Sequence, residues 1–404
     1  MSRLIQEAMG WGAKRKDERM PLKVSERSRN LPPFYVMEVM RAANAREASR
    51  QAVYHMEVGQ PDTSAPEGAL RAAEAALREH RLGYTEALGL PELRQAIATH
   101  YQDYYGVAVA PDRVVVTTGS SGAFVQAFLA AFDVGDRVAI ASPGYPCYRT
   151  ILSALGVEAV LLETQIEHGF QPTPELLDRA RSEGPLDGLI IASPANPTGS
   201  MLSRRDLEEL SAYCDTHGIR LVSDEIYHGV TYEGKATTAL SYGPNAIVIN
   251  SFSKYFSMTG WRLGWMIAPG DLTQVCEYLG QNLYISPPTL SQVAAVAAFN
   301  CKEELDANVA RYAQNRALLL EELPKIGFDK LAPADGAFYL YADVSGLTND
   351  SQEFCARMLS ETGVAATPGL DFDAARGHRF LRFSFAGAAN DMAAAVEALR
   401  DWTR

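Results

Sequence analysis

The stretch Ser251-Phe-Ser-Lys-Tyr-Phe-Ser-Met-Thr-Gly-Trp-Arg-Leu-Gly264 follows the apolar run Ala246-Ile-Val-Ile-Asn250. Such a run predicts a buried strand, so the polar residues after it should lie at a strand end. A phosphate group favours several donors and a delocalised cation such as Arg262, whereas a lysine near another cation becomes a nucleophile able to form a Schiff base. The stretch therefore suits a phosphorylated aldehyde, although a lysine such as Lys254, in a serine-rich loop, is more often a solvated surface group.

The composition is that of a soluble globular protein. The 404 residues are 47% hydrophobic and 21% charged, which allows a large core divided between two domains. The net charge of −12 argues against nucleic acid or an anionic membrane as a partner, because both select basic surfaces. Small molecules are the expected ligands.

The cysteines and the N-terminal residues indicate the cellular compartment in which the protein is expected. The five cysteines are spread widely and include no Cys-x-x-Cys pair, so they indicate neither a disulfide framework nor a zinc site. The first twenty residues mix acidic and basic side chains and lack an apolar core with a cleavage site. No apolar run approaches the ~20 residues of a membrane span. We therefore expect a cytoplasmic protein that binds no metal.

Apolar strands alternate with helices through much of the chain. This alternation predicts an α/β fold with a mainly parallel sheet that is covered by helices on both faces. The last strand of the series is expected to be the one before Ser251. The predicted strands are 113–118, 138–141, 157–162, 188–192, 220–223 and 246–250.

Polar residues follow several of these strands. The turn Gly119-Ser-Ser-Gly122 begins a helix, where backbone N–H groups, hydroxyls and the positive end of the dipole suit a phosphate. Such turns are common, so the turn alone is a weak signal. Ligands of parallel sheets bind beyond the carboxyl ends of the strands. One sheet edge should therefore bring this turn together with Tyr145, Asn196, Asp224, Tyr227 and Lys254.

The pattern changes after Pro287-Pro288. A helical stretch at 290–323 and alternating strands at 337–342 and 379–385 predict a smaller α/β domain. Arg382 alternates with apolar residues on the last strand, so it needs an anionic partner, either a ligand or a structural salt bridge. The expected division is an N-terminal arm and helix at 1–48 that join the small domain, a large domain at 49–288 and the small C-terminal domain at 289–404.

A set of motifs runs in order along the chain: Tyr84, Asn196-Pro-Thr-Gly199, Asp224-Glu-Ile-Tyr227, Ser251-x-Ser-Lys254, Gly260-Trp-Arg262 and Arg382. In this order, they resemble the motifs of the fold-type I, class I/II aminotransferases, which use pyridoxal 5′-phosphate. Each motif is modest alone, and the ordered set, with a resemblance that runs from about Phe34, is highly specific. The resemblance implies a seven-stranded, mainly parallel sheet in a large cofactor-binding domain beside a smaller α/β domain.

The resemblance implies the catalytic roles. Lys254 would hold the cofactor as an internal aldimine and, once displaced, would move the substrate proton as general acid and base. Asp224 would pair with the pyridine nitrogen and keep it protonated. Tyr227 and Asn196 would hydrogen-bond the phenolic oxygen, and Tyr145 would stack on the ring.

The resemblance also implies how the phosphate and the substrate are held. The phosphate ligands would be Ser120, Ser121, Ser251, Ser253 and Arg262, with Tyr84 reaching in from the other subunit of a homodimer. Arg382 would bind the substrate α-carboxylate as a bidentate fork, helped by Asn196 and the backbone at Gly59.

The sequence favours a neutral or aromatic amino donor over aspartate. Dicarboxylate-specific relatives supply a further cation, whereas the segment 281–288 has none and Ser121 occupies the position where some relatives have lysine. A mobile loop at 367–378 is expected near the substrate. Arg149, Arg376, His378 and Arg379 could still supply the charge.

Three other hypotheses stay open. A C–S β-lyase or a decarboxylase would use the same cofactor on the same fold, and only its products would differ. A pyridoxal-phosphate-sensing module of a transcriptional regulator would need a DNA-binding domain, for which the N-terminal arm leaves no room. A cofactor-free structural protein would not need Lys254, Asp224 and Arg262 together.

Overall fold

The computed structural model describes residues 22–25, 27 and 32–402, so the arm predicted at the N-terminus lies almost entirely outside the described residues. None of the helices described in these ranges combines the length and hydropathy needed to cross a membrane. The helices described are α1 (Tyr35–Ala48), α2 (Glu67–Glu79), α3 (Pro91–Tyr105), α4 (Gly119–Ala131), α5 (Pro146–Leu155), α6 (Pro174–Ser182), α7 (Arg204–His217), α8 (Thr273–Leu283), α9 (Thr289–Ala298), α10 (Lys302–Glu322), α11 (Ser351–Thr362) and α12 (Ala389–Trp402).

A seven-stranded sheet with the order β2-β8-β7-β6-β5-β3-β4 forms the centre of the fold. The strands from β7 to β4 pair in parallel, whereas β8 is antiparallel to both of its neighbours. The mainly parallel α/β sheet predicted from the sequence is thereby confirmed. The seven strands are β2 (Val114–Thr117), β3 (Arg137–Ser142), β4 (Glu158–Glu163), β5 (Gly188–Ala192), β6 (Arg220–Asp224), β7 (Ile247–Ser251) and β8 (Gly264–Ile267).

The prediction that the sheet series ends at β7 is wrong. After β7 the chain loops through Lys254 and returns as β8, which inserts between β2 and β7. Gly264 lies opposite both Thr117 and Ser251. A Cβ at Gly264 would come within 2.9 Å of the Ser120 nitrogen, so only glycine allows the returning strand to approach this turn so closely.

Two smaller sheets are formed by strands from the C-terminal part of the chain together with β1, which lies near residue 54. One has the order β12-β13-β10-β9, and in the other β1 pairs in parallel with β11. Arg382 on β13 lies opposite Tyr341 on β10 and Thr367 on β12. The strands are β1 (Tyr54–His55), β9 (Lys330–Leu331), β10 (Tyr339–Asp343), β11 (Val364–Ala365), β12 (Thr367–Pro368) and β13 (Phe380–Ser384).

The helical stretch predicted at 290–323 consists of two helices, α9 and α10, separated at residues 299–301. The apolar spacing continues across the break, which is why the sequence suggested one element. Helix α9 packs on α2 through small residues, since Ala294, Ala295 and Ala298 belong to the same buried cluster as Ala69 and Ala73. The division into domains at 48 and 288 stays a prediction.

Candidate active site

A cavity of about 220 Å³ lies beyond the carboxyl ends of β5, β6 and β7. Loops after these strands are joined there by the N-terminus of α4, by the turn before α5 and by β13. The structure brings together most of the residues predicted for the site. Those that line the cavity are Gly59, Ser120, Ser121, Tyr145, Asn196, Asp224, Tyr227, Ser253, Lys254, Arg262 and Arg382.

Two predicted site residues do not line this cavity. Ser251 is buried, and its hydroxyl lies behind Ser253: it accepts a hydrogen bond from the Ser253 nitrogen at 3.1 Å and donates to the Leu263 carbonyl at 3.3 Å. Ser251 thus supports the loop rather than facing the cavity. Tyr84 lies on the loop between α2 and α3, with 82% of its surface exposed.

Lys254 lies at the base of the cavity with its ammonium against the backbone. Its Nζ donates to the Gly59 carbonyl at 2.6 Å and lies 5.5 Å from the centroid of the Tyr227 ring. Burial lowers the pKa of Lys254 to about 8, and the positive charges of Arg382 and Arg262 act in the same direction. About a tenth of the amine is therefore unprotonated at pH 7, and a nucleophile or proton acceptor requires this form.

Asp224 ends β6 with its carboxylate directed into the cavity. Burial raises the pKa of Asp224 to about 6, while hydrogen bonds from the Tyr148 hydroxyl and the Ile226 nitrogen act in the opposite direction. The Ile226 nitrogen lies 3.1 Å from Oδ1. At neutral pH the group is therefore mostly ionised, and it is the only acidic side chain lining the cavity in the described part of the chain.

Arg382 lies between two aromatic rings and keeps a donor free. Its guanidinium carbon is 4.4 Å from the ring centroid of Tyr339 and 4.7 Å from that of Phe372. Nη1 donates to Asn196 Oδ1 at 2.8 Å, and Nη2 donates to the Glu57 carbonyl. The buried Nε has no hydrogen-bond partner within the described residues, so a bound carboxylate would satisfy it.

The part of the cavity around Arg262 and the N-terminus of α4 carries the groups of an anion-binding site. Helix α4 begins at Gly119, which has a φ of +79°. A Cβ at that position would lie 2.6 Å from Arg262 Nη2, so glycine allows the guanidinium to contact the helix N-terminus. The hydroxyls of Ser120, Ser121 and Ser253 face the same space. Backbone N–H groups, hydroxyls and a guanidinium together suit a phosphate.

Several residues of the site were not predicted from the sequence. Tyr148 lies three positions after Tyr145 in the first turn of α5, so helical spacing could have identified it. Tyr339 begins β10, within the alternating strand predicted at 337–342, and its hydroxyl lies 2.6 Å from that of Tyr227. Phe34 and Met37, which line the cavity from the start of α1, carry no local signal.

The start of α1 is attached to the loop at 367–378. The carboxylate of Asp371 accepts hydrogen bonds from the Tyr35 and Val36 nitrogens, both at 3.2 Å. Arg149 donates to the Asp371 carbonyl at 2.7 Å. The cationic or ionisable candidates for binding a distal carboxylate, Arg149, Arg376, His378 and Arg379, are all absent from the cavity lining.

Comparison of the sequence with known proteins identifies one family. The family model described as aminotransferase class I and II matches residues 52–399. The valine–pyruvate aminotransferase of Mycobacterium tuberculosis is 52% identical over 376 residues, which cover 92% of this chain and 96% of that protein. The aspartate/prephenate aminotransferase of Thermus thermophilus is 36% identical over 362 residues, covering 88% and 92%.

A solved structure gives the same result. The crystal structure of an aminotransferase from Mycobacterium tuberculosis is similar to this chain with a TM-score of 0.92 and 51% sequence identity. The match covers 95% of this chain and 99% of that one.

Proposed function

The chain belongs to the class I and II aminotransferases, and we propose that the cavity described above is its active site and that neutral amino acids are its preferred donors. Enzymes of this family transfer an amino group from an amino acid to a 2-oxo acid with pyridoxal 5′-phosphate as cofactor. The relatives reported above are named as aminotransferases, which favours amino-group transfer over the lyase and decarboxylase hypotheses.

The residues present fit pyridoxal 5′-phosphate. When bound, the cofactor supplies a pyridine ring that accepts the electron pair left at the substrate Cα. Asp224, mostly ionised at neutral pH, would hold the protonated ring nitrogen. Tyr227 and Asn196 would hydrogen-bond the phenolic oxygen, and Tyr145 would cover the ring face. The phosphate would be held by Ser120, Ser121, Ser253 and Arg262, with Ser251 fixing the position of Ser253.

Lys254 and Arg382 would act on the substrate. With a pKa of about 8, the Lys254 amine can accept a proton from the substrate Cα as a general base and then donate it again as a general acid. Arg382 would bind the α-carboxylate through its buried Nε, which has no partner among the described residues. The Gly59 carbonyl, which accepts the hydrogen bond from Lys254 in this structure, would keep that amine near the carboxylate.

The charge of the cavity lining supports a neutral donor. The only cations that line it in the described part of the chain are Lys254, Arg262 and Arg382, and each already has a role. Much of the remaining lining is apolar. It includes Phe34, Val36, Met37, Val58 and Ile226. A distal carboxylate would lose its hydration there without gaining a partner.

A comparison of amino donors tests this preference. With pyruvate as acceptor, we expect kcat/KM for valine or phenylalanine to exceed that for aspartate by on the order of 10²-fold, since an unpaired buried charge costs several kcal/mol. Equal kcat/KM values for valine and aspartate would contradict the donor assignment without affecting the assignment to the family.

The hydrogen bond from Tyr148 to Asp224 gives a prediction about pH dependence. Because this bond favours the ionised form, Tyr148→Phe should raise the pKa of Asp224 further above about 6. A hydrogen bond to a charged group contributes about 1.5–3 kcal/mol, so the acid limb of kcat should move up by roughly one to two pH units. Activity at pH 7 should fall by about two- to tenfold and recover at higher pH.

Tyr145→Phe is the matched control for this variant, since its ring also lines the cavity but its hydroxyl does not contact Asp224. If the acid limb of Tyr148→Phe stays where it is in the wild type, Tyr148 does not control the charge of Asp224.

The lowered pKa of Lys254 predicts how the protein takes up its cofactor. Only the unprotonated amine reacts with an aldehyde, so the association rate of pyridoxal 5′-phosphate with the apoprotein should rise about tenfold between pH 7 and 9 and then level off. Stopped-flow absorbance measures this rate. A rate that keeps rising tenfold per unit beyond pH 9 would mean that Lys254 has an ordinary pKa.

We further propose a homodimer in which Tyr84 reaches the neighbouring site. Tyr84 is exposed, as are Leu283 and Ile285 at the end of α8, and such side chains often mark an interface. Analytical ultracentrifugation should give twice the chain mass. Mixing Lys254→Ala with Tyr84→Phe subunits should restore one complete site per hybrid dimer, and a lack of recovery would contradict a shared site.

Location and domain division are also proposals. The five cysteines are free in the structure, which supports a reducing cytoplasm. Residues 49–288 are proposed as the cofactor-binding domain because most residues of the cavity lie within them. Residues 32–48 and 289–404 would contribute the substrate-facing wall and Arg382.

A further inference from the structure

A second cavity, of about 230 Å³, shares no lining residue with the active site. Its walls come from the end of α3, from residues 228–229 and 235, from residues 255–256 directly after Lys254, and from the start of α10. Nothing in the chemistry described above uses this space.

The walls are largely aromatic. His100 stacks on Tyr104 with ring centroids 5.4 Å apart and planes at 23°, and Tyr104 meets the edge of Tyr105 at 4.7 Å. Phe299 packs on the same cluster, 5.4 Å from His100. The rings therefore pack against one another and together give the cavity an aromatic wall, which suits a flat ligand.

The two histidines of the wall are neutral at pH 7. Burial lowers the pKa of His100 to about 4 and that of His228 to about 3. His228 Nε2 donates to the Ser193 carbonyl at 2.9 Å, and its Nδ1 accepts a hydrogen bond from the Tyr105 hydroxyl at 2.7 Å. The polar groups of His228 are therefore already paired, and the histidines contribute no charge to a ligand.

One positively charged side chain of the second cavity lacks a carboxylate partner among the described residues. Lys302 forms an ion pair with Asp306, which also accepts a hydrogen bond from the Tyr255 hydroxyl at 2.7 Å. Lys235 has its Nζ 4.6 Å from the centroid of the Tyr104 ring. No described carboxylate lies within ion-pair distance of Lys235, so its charge is available to an anion that lies along the aromatic wall.

We propose that this second cavity binds a small aromatic carboxylate, with its ring against the aromatic side chains that line the cavity and its carboxylate at Lys235. Pockets for drug-sized ligands measure roughly 300–1,000 Å³. A cavity of about 230 Å³ therefore suits a single ring with a short acidic chain.

The second cavity is also in contact with two segments of the active site. Tyr255 follows Lys254 in the chain, and a Cβ at Gly229 would lie 2.7 Å from Tyr255 Cδ2. The Tyr255 ring thus packs against the backbone just after Tyr227. A ligand on Tyr255 would therefore lie next to both segments.

Crystals of the holoenzyme soaked in 4-bromobenzoate test the proposal. The active site could also bind this carboxylate through Arg382, and the anomalous signal of bromine tells the two positions apart. We expect a peak in the second cavity. Bromine in the active site alone, or in neither position, would overturn the proposal.

Calorimetric titration of the holoenzyme with benzoate provides the matched comparison. Lys235→Ala should weaken binding at the second cavity at least tenfold, whereas Lys330→Ala, an exposed lysine outside the cavity, should not. Cyclohexanecarboxylate, which has the charge but no aromatic ring, should bind more weakly than benzoate. Equal benzoate affinity in the Lys235→Ala and wild-type proteins would contradict the role of Lys235.

Discussion

Replacing Lys254 by alanine is expected to lower kcat by roughly 10³-fold or more while leaving weak, non-covalent binding of pyridoxal 5′-phosphate. The amine lies 2.6 Å from the Gly59 carbonyl at the base of the cavity, and burial lowers its pKa to about 8, which suits proton transfer near neutral pH. General acid–base catalysis alone contributes about 10²- to 10⁴-fold, and the loss of covalent attachment adds to this. Single-turnover kinetics and equilibrium dialysis measure the two effects separately.

Two controls distinguish proton transfer from charge at this position. Lys254→Arg keeps a cation but cannot be deprotonated near neutral pH, so it should be as inactive as Lys254→Ala. Lys330→Ala removes an exposed lysine elsewhere and should have wild-type kcat. Substantial turnover in Lys254→Arg would show that this position supplies only charge.

Arg382→Ala is expected to raise the KM of the amino donor by on the order of 10²-fold or more, with a smaller change in cofactor affinity. Truncating one partner of a buried charge pair costs about 2–5 kcal/mol, and the buried Nε of Arg382 lacks a partner until a carboxylate binds. Steady-state kinetics with a neutral donor, together with titration of the apoprotein with cofactor, measure the two quantities.

The same substitution also removes contacts within the protein, so its controls must separate binding from folding. Arg382 donates to Asn196 and Glu57, and its loss leaves those acceptors buried. Arg382→Lys retains the charge without the planar fork and should recover only part of the affinity. Arg71→Ala, on the exposed face of α2, should leave KM unchanged. Unchanged KM in Arg382→Ala with an intact melting temperature would place the substrate carboxylate elsewhere.

The part of the site that lies on parallel strands could be predicted from the sequence. Asn196, Asp224 and Lys254 each follow an apolar strand, and carboxyl ends of parallel strands meet at one edge. Local pattern therefore implied their proximity. The antiparallel return of β8 was not predicted, because its four residues follow directly on the motif around Arg262 and give no periodicity of their own.

The rest of the cavity depends on tertiary packing. Phe34 reaches the cavity because the carboxylate of Asp371 accepts hydrogen bonds from the first backbone N–H groups of α1. Asp371 lies 337 positions after Phe34, so no local sequence pattern indicates this contact. Ser251 has the expected position in the chain, but its hydroxyl is within hydrogen-bond distance of the Ser253 hydroxyl and the Leu263 carbonyl and does not line the cavity. Residue type and spacing indicate which groups are available, and packing decides which of them face the cavity.

The most direct test of the proposed active site is a half-reaction with the purified holoenzyme. Mixing it with excess valine in the absence of an oxo acid should convert the absorption band of the aldehyde form of the cofactor to that of the amine form. Adding pyruvate should restore the first band with formation of alanine. If the band stays unchanged with every amino acid tested, or if pyruvate and ammonia accumulate from a cysteine-type substrate instead, the assignment of amino-group transfer to this cavity is wrong.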